Sequence, residues 1–293
     1  MPGVIAAMKI ILSRKGFDSS IGKVPSPIFP SGELRSLPIP DHDQPVQAST
    51  RCYKDIRAGY RSLAALVGDL TNGVITPDCP VHLDPDLVLD SVPRLPGWKP
   101  VFGQAGAAER HLQNQGVGAG DIFVFYGWFR NVVEQAGRYR YVPEDHGRHV
   151  IFGWLQIEQR IPVDDRARIP VWARDHAHCC RAKRDKLDSL YISTDRITLP
   201  NATVDKPGAG IFPCFHPDLC LTAPGSLRSI WRLPAWMYPA AGRSGLSYHR
   251  NLQRWTAGPD HVLLQTVGRG QEFVLDCDGY PEALDWLAAI LRI

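Results

Sequence analysis

The segment over residues 8–41 restricts the fold more than any other part of this sequence. It begins with a short apolar run, Lys9 to Leu12, which is typical of an inner β-strand. A polar loop follows at once, and closely spaced prolines then remove backbone freedom, so we expect a loop of defined shape with little regular structure. These prolines are Pro25, Pro27, Pro30, Pro38 and Pro40. A buried strand that runs directly into polar residues predicts a site at the end of the strand.

The polar loop offers candidate ligand-binding side chains. Its glycines Gly16 and Gly22 invite comparison with a phosphate-binding P-loop, but five residues separate them, and Val24 stands where that motif needs a hydroxyl for magnesium. With the P-loop excluded, two alternatives remain for this segment. It is either a less specific anion-binding loop built from backbone donors or a purely structural turn. The candidate substrate-binding residues of this segment are Arg14, Lys15, Asp18, Ser19, Ser20 and Asp41.

Several segments spread along the chain carry a resemblance to one known family. They are SRKGFDSS, PSPIFPSG and SLPIPD near the start, HLDPDL at residues 82–87, GDIFVFYGWFR at 120–130, FGWLQI at 152–157, SIWRLPAW at 229–236, LSYH at 246–249 and RGQEFVLD at 269–276. Over nearly its whole length the chain resembles the family called nucleotide modification associated domain 3. The resemblance implies an association with genes that modify nucleic-acid bases, and it implies no particular mechanism.

Composition places the chain among ordinary globular proteins. It has 293 residues, of which 44% are hydrophobic and 22% charged, so it can bury a substantial core. No apolar run approaches the roughly 20 residues of a membrane helix. Seven cysteines without a CxxC pair argue against a complete disulfide framework, and we expect a cytoplasmic location. The net charge of +3 is too small to establish a nucleic-acid partner.

Hydrophobic periodicity predicts an α+β fold with a mixed or antiparallel, β-rich core and a few flanking helices. We expect a first helix that starts directly after Ser49 or Thr50 as N-cap and runs through Leu70, and further helices over residues 107–113 and 281–291. Strands are expected over residues 122–125, 138–142 and 149–159, and shorter ones in the last third.

The organisation predicted for the chain is a single compact unit over residues 1–293, because no clean flexible linker or repeat is present. Its subregions are the polar loop and helix (8–114), a β-region (115–200), and an arginine-aromatic segment with a C-terminal helix (201–293). Residues 115–175 are similar to small open barrels of the PUA and EVE type in their sequence of Gly-Asp turn, hairpin and strand. That similarity implies an open-barrel portion that binds RNA or modified bases.

An H-x-D-x-D pattern is formed by His82, Asp84 and Asp86. Because Pro85 favours an extended Asp84, the three side chains would point one way. They could hold a hard cation or place an acid and a base on one substrate, and Asp41 could join them. The alternative is hydrogen bonding within a turn around the proline.

Histidines and cysteines recur at His176, His178, Cys179 and Cys180. Structural zinc sites usually space their ligands more widely, so we predict no metal site here. His178 is instead a candidate for proton transfer, together with His82. The sequence identifies no cofactor.

The arginine-aromatic segment, residues 219–259, contains no Asp or Glu. It also contains no lysine, so its positively charged side chains are arginines. Guanidinium groups interleaved with aromatic rings suit phosphates and exposed bases, although the rings could equally pack in a core. Its candidate binding residues are Arg228, Ser229, Arg243 and His249. Farther on, Gln271 is a binding candidate and Glu272 a catalytic one, since they precede an apolar strand after Arg269.

Three functions follow from these residues. The first is an enzyme acting on a nucleotide or on a base of DNA or RNA, in which all polar segments converge on one pocket. Asp84 or Glu272 would then perform acid-base chemistry, and Trp128 or Trp154 would stack on the base. The second is a PUA-like reader that binds a modified or flipped base without altering it. The third is a partner subunit of a modification complex.

Overall fold

In a computed structural model of the protein, the described residues are 8–41, 51–57, 62–181, 185–200, 202–239, 243–268 and 270–293. The strands of this part of the chain are β1 (Lys9–Arg14), β2 (Ser26–Ile28), β3 (Ile39–Pro40), β4 (Val81–His82), β5 (Val101–Ala105), β6 (Ile122–Gln135), β7 (Arg138–Tyr141), β8 (Arg148–Pro162), β9 (Asp188–Ser193), β10 (Ala209–Ile211), β11 (Ile230–Pro234), β12 (Trp255–Ala257), β13 (His261–Gln265) and β14 (Glu272–Asp276). Its α-helices are α1 (Leu63–Leu70), α2 (Gly106–Asn114), α3 (Ala177–Cys180) and α4 (Glu282–Leu291).

The main sheet runs in the order β14-β1-β6-β8-β9-β5. Strand β1 pairs antiparallel with β14 and parallel with β6, and the other neighbours along this path are antiparallel. Ile10, Ile11 and Leu12 are all buried, as expected of a strand covered on both faces. The sheet is therefore mixed, and its strand β1, which has a neighbour on each side, leads straight into the polar loop.

Two long strands, β6 and β8, make up the middle of this sheet. Their pairing shifts register between Phe125 and Tyr126, and the pairing of β8 with β9 shifts between Ile157 and Gln159. Such irregularities bend and twist strands. The outer half of β6 also pairs with β2 and β7, while β10 pairs with β8.

Helix α2 lies against β5, β9 and β14, so it contacts both ends of the main sheet. The Gln104 side chain on β5 donates a hydrogen bond to Glu272 on β14. In the described ranges no strand ladder joins β5 to β14, so the sheet does not close into a barrel. These features confirm the predicted α+β class with a mixed, β-rich core and few helices, whereas the PUA-like portion stays a prediction.

A second, antiparallel sheet has the order β11-β13-β12. Its Trp231 and Leu264 belong to the same hydrophobic cluster as Met8 at the start of β1 and Leu291 in α4. Residues from near the beginning and near the end of the described chain thus share one core. Within the described ranges, no helix combines the length and apolar character needed to cross a membrane.

The first helix, predicted from Ser49 or Thr50 through Leu70, is shorter in the structure, where α1 begins after Ser62, whose hydroxyl accepts a hydrogen bond from the Ala65 N–H. Ile56 is extended, and the Arg57 N–H donates to the Ser91 carbonyl. This contact to a distant segment holds residues 56 and 57 out of the helix. The predicted caps Ser49 and Thr50 lie outside the described residues.

Candidate functional site

A histidine–aspartate cluster, consisting of His82, Asp84, His176, His178 and Asp188, lies beside β5 and β9. Strand β4 ends at His82, and the two later histidines flank the start of the short helix α3. Their side chains are nearly buried, and each of the three histidines approaches the Asp84 carboxylate. The cluster therefore joins the HLDPDL segment to a histidine pair far along the chain.

Asp84 is the centre of this cluster. Its Oδ1 accepts a hydrogen bond of 2.7 Å from the Gly103 N–H. Burial alone would raise the pKa of Asp84. The nearby His176, His178 and His82 lower it by a larger amount, so the net pKa lies well below its usual value. Asp84 is consequently an ionised carboxylate surrounded by imidazoles.

Two more carboxylates orient the histidine rings. Asp41 Oδ2 lies 3.2 Å from Nδ1 of His82, and Asp188 Oδ1 lies 2.5 Å from Nδ1 of His178. Burial lowers the pKa of His178 well below its ordinary value, and it raises the pKa of Asp188 to about 7 despite the nearby Arg181. A carboxylate on one ring nitrogen directs the other nitrogen toward Asp84.

Asp86 does not join the cluster that the H-x-D-x-D pattern predicts. Its carboxylate accepts hydrogen bonds from both terminal guanidinium nitrogens of Arg94, and its N–H donates to the Val101 carbonyl. The pairing with Arg94 engages both oxygens of the Asp86 carboxylate, which are then not available to the cluster. Asp86 is therefore a structural ion-pair partner.

A buried glutamate group, formed by Glu272, Lys15 and Gln104, lies where β1 ends next to β14. Lys15 Nζ is 2.8 Å from Glu272 Oε1, and Gln104 donates to the same oxygen. The Glu272 side chain is only 1% exposed, and its Oε2 has no hydrogen-bond partner. Oε1 thus receives two donors, whereas Oε2 is left able to accept a hydrogen bond.

An arginine pair, Arg14 and Arg228, lies at the same end of β1. The Arg228 guanidinium stacks 4.1 Å from the centre of the Trp128 ring. Burial lowers the pKa of Arg228, and the positive charge of Arg14 lowers it further, while Asp18 opposes that effect. Asp18 lies 4.0 Å from Arg14. Two cations and one carboxylate leave this surface with net positive charge.

The sequence match identifies the family. The family model described as nucleotide modification associated domain 3 matches residues 9–276. The chain belongs to this family. No curated protein and no solved structure gives a match. Membership relates the chain to nucleotide modification, and the matched range includes all three polar groups.

Other candidate residues of this family member have structural contacts in the described part of the chain. Both ring nitrogens of His249 are engaged by the backbone of Ser247 and Val267, and Trp154 packs against Phe212 and donates to a backbone carbonyl. Arg243 contacts Tyr280 and Glu282. These three side chains are therefore engaged in structural contacts.

The remaining candidates lie in the loops. Asp18 accepts hydrogen bonds from Ser20 and from the Ile21 N–H, while Ser19 is exposed. The carbonyl of Gln271 accepts from the Arg14 N–H, and that of Ser229 accepts from Thr266. Asp18 and Ser20 thus brace the loop beside Arg14, whereas Arg269 of the Gln-Glu segment lies outside the described residues.

The polar residues form three groups, and their convergence on a single pocket stays a prediction. A Cβ added to Gly103 would meet the His178 ring, so this face of β5 carries the histidine–aspartate cluster. The neighbouring Gln104 reaches Glu272 on the opposite face. Along β1, Arg14 alternates in the same way with Lys15. Alternation along β5 thus places the histidine–aspartate cluster and the glutamate group on opposite faces of that strand.

Three residues of these groups were not predicted from sequence: Gly103, Gln104 and Asp188. Gly103 and Gln104 lie in a short apolar segment without a recognisable motif, and Asp188 begins a buried strand. Only the pairing of β5 with β9, which aligns Ala105 with Asp188, brings this carboxylate to the cluster.

Proposed function

We propose that this family member binds the phosphate of a nucleotide or nucleic acid with Arg14 and Arg228, and that this binding serves modification of the base. The observation that carries the proposal is the arginine pair itself. Arg228 stacks on Trp128 within electrostatic reach of the partly exposed Arg14, and Asp18 supplies a single negative charge beside them. A phosphate supplies further negative charge and accepts hydrogen bonds from both forks.

The surroundings of the arginine pair support a phosphate over a buried structural carboxylate. Arg14 is 27% exposed, so water and ligands reach it. Stacking on Trp128 holds Arg228 in one orientation and leaves its edge free to donate. Asp18 balances only one of the two charges.

Binding can be measured by fluorescence anisotropy with labelled single-stranded DNA and RNA over a range of salt concentrations. We expect Arg14→Gln and Arg228→Gln each to weaken binding and to reduce the salt dependence by about one phosphate contact. Arg243→Gln is the matched control, because that arginine also stacks on a ring but lies beside Glu282. Equal losses in all three variants would contradict the proposal.

For the base-modifying step, Glu272 is the group we propose for proton transfer, with support from its unpaired Oε2 and its contact with Lys15. Mass spectrometry of DNA, tRNA and free nucleotides after incubation should show a product with the natural chain and none with Glu272→Gln. Unchanged spectra for the natural chain across this panel would remove catalysis and leave the reader or the partner subunit.

The reader differs from the enzyme in its aromatic contacts. Two tryptophans are candidates for stacking on a base. Trp154 is 4% exposed and already packs against Phe212, so Trp128 is the ring available to a base. A reader would bind without turnover, and a partner subunit would show no intrinsic affinity for nucleic acid. A cytoplasmic location remains part of this proposal, and the seven unpaired cysteines support it.

A further inference from the structure

We infer that the histidine–aspartate cluster is a binding site for a divalent first-row transition metal ion, with His82, Asp84 and His178 as ligands. One ligand atom from each of these residues lies within 4.8 Å of the other two. Two imidazoles and one carboxylate, with the remaining positions open, are a donor set that suits catalytic zinc and non-haem iron.

The distances indicate that an atom belongs between these side chains. Nε2 of His82 lies 3.9 Å from Asp84 Oδ2, and Nε2 of His178 lies 3.8 Å from it. Both separations are too long for a hydrogen bond. Ligands about 2.1 Å from a tetrahedral ion are roughly 3.4 Å apart, so a small inward shift of the rings completes the geometry.

The second carboxylates give each ring the orientation of a metal ligand. Asp41 and Asp188 lie on the Nδ1 side of His82 and His178, so the Nε2 atoms face Asp84. With Nδ1 of each ring held by an outer carboxylate, both Nε2 atoms are placed to coordinate a cation beside Asp84, which would replace the 3.4 Å contact of His178 with Arg181. A cation turns the same arrangement into coordination, with the outer carboxylates setting ring orientation.

An independent observation comes from His176. Its side chain is 2% exposed, and its Nε2 has no hydrogen-bond partner although it lies 3.4 Å from Asp84 Oδ1. A buried ring nitrogen without a partner costs free energy, so it calls for an explanation. An ion beside Asp84 would provide one, either directly or through a bound water.

The site also has space on one side. A cavity of about 110 Å³ is lined by Asp84 together with Leu87, Phe152 and Phe212, and it extends to Gly16 at the start of the polar loop. An open coordination position on that side would be available to a water molecule or to a small ligand.

The test uses the full chain after treatment with a chelator and dialysis. Co²⁺ is titrated and followed by its visible absorption, and Zn²⁺ is titrated by calorimetry. We expect one ion per chain for each metal. His82→Ala and His178→Ala should abolish the Co²⁺ spectrum, and Asp188→Asn should weaken affinity by about 10- to 100-fold.

His216→Ala is the matched control, because this histidine is half exposed and outside the cluster, and it should leave binding unchanged. Circular dichroism shows whether each variant is folded, and if His178→Ala does not fold, Asp188→Asn decides. Absence of stoichiometric binding, or equal affinity in Asp188→Asn and the natural chain, would overturn the inference. These readouts do not depend on nucleotide binding.

Discussion

At the scale of single residues, Gly103 determines whether the histidine–aspartate cluster can form. A Cβ built on it would lie 2.2 Å from Cδ2 of His178, closer than any real contact of this kind. The Gly103 N–H also donates to Asp84. One position without a side chain therefore admits an imidazole on one side while its backbone orients a carboxylate.

Gly103→Ala should destabilise the fold by about 1–3 kcal/mol, because the added methyl group overpacks a buried contact. Urea unfolding measures this. Gly118→Ala is a suitable control, since a Cβ there meets nothing within 4 Å. If both variants unfold alike, the close packing of His178 on β5 is contradicted.

The pair of Lys15 and Glu272 gives a second residue-scale prediction. Glu272→Ala leaves a nearly buried ammonium without its carboxylate, so we expect a loss of about 3–5 kcal/mol. Lys15→Met in the same chain should recover part of that loss, because the stranded charge is removed. A double-mutant cycle by urea unfolding measures the coupling, and strict additivity would show that the two groups do not interact.

At the scale of elements, helix α2 is held to the sheet by a carboxylate as well as by apolar packing. Glu109 is fully buried, and its oxygens accept from the Ser189 and Tyr191 hydroxyls and from Arg160. These partners lie on β8 and β9. Helix α2 is thus anchored to β8 and β9, near the β5 end of the main sheet, by a hydrogen-bond network.

Glu109→Ala should lower the free energy of unfolding by about 3–5 kcal/mol, since it leaves several buried donors and a guanidinium unpaired. Glu109→Gln should cost less, because its amide oxygen still accepts. Thermal unfolding followed by circular dichroism compares them with Arg110→Ala on the exposed side of the helix. Similar midpoints for Glu109→Ala and Arg110→Ala would exclude a stabilising network.

At the scale of the whole molecule, strands far apart in the sequence become neighbours. Strand β14 pairs with β1, so the last strand of the sheet lies beside the first. The space between the two sheets contains neutral histidines: His149 accepts a hydrogen bond from the Trp231 indole, and both nitrogens of His249 are engaged. Protonation of either ring would break a bond inside the core.

Stability should therefore fall in acid. Burial, with Arg228 and Arg14, lowers the pKa of His149 to about 3, and burial lowers that of His249 to about 4. Because the unfolded chain binds protons near pH 6.5 and the folded chain does not, stability is present above that pH and is lost as pH falls toward 4. Between pH 7 and pH 5 each histidine should account for about 2 kcal/mol.

Urea unfolding at the two pH values measures this loss. His149→Gln, whose amide oxygen still accepts from Trp231, should reduce the difference between pH 7 and pH 5 by about 2 kcal/mol. An unchanged difference in this variant would show that His149 is protonated in the folded state.

The sequence by itself determined the family, the α+β class and several elements, since local patterns carry that information. The strand at Lys9 and the C-terminal helix after Pro281 are examples. Local periodicity predicts too early a start for the first helix, because the contact of Arg57 with Ser91 is not local.

Only the tertiary structure decided which polar residues meet. HLDPDL was recognised as a candidate segment, but its union with His178, and the assignment of Asp86 to Arg94, depend on strand pairing between distant segments. Likewise Arg228 joins Arg14 while Arg243 does not. Periodicity specifies the face of one strand, whereas the neighbours of that face depend on how the whole sheet folds.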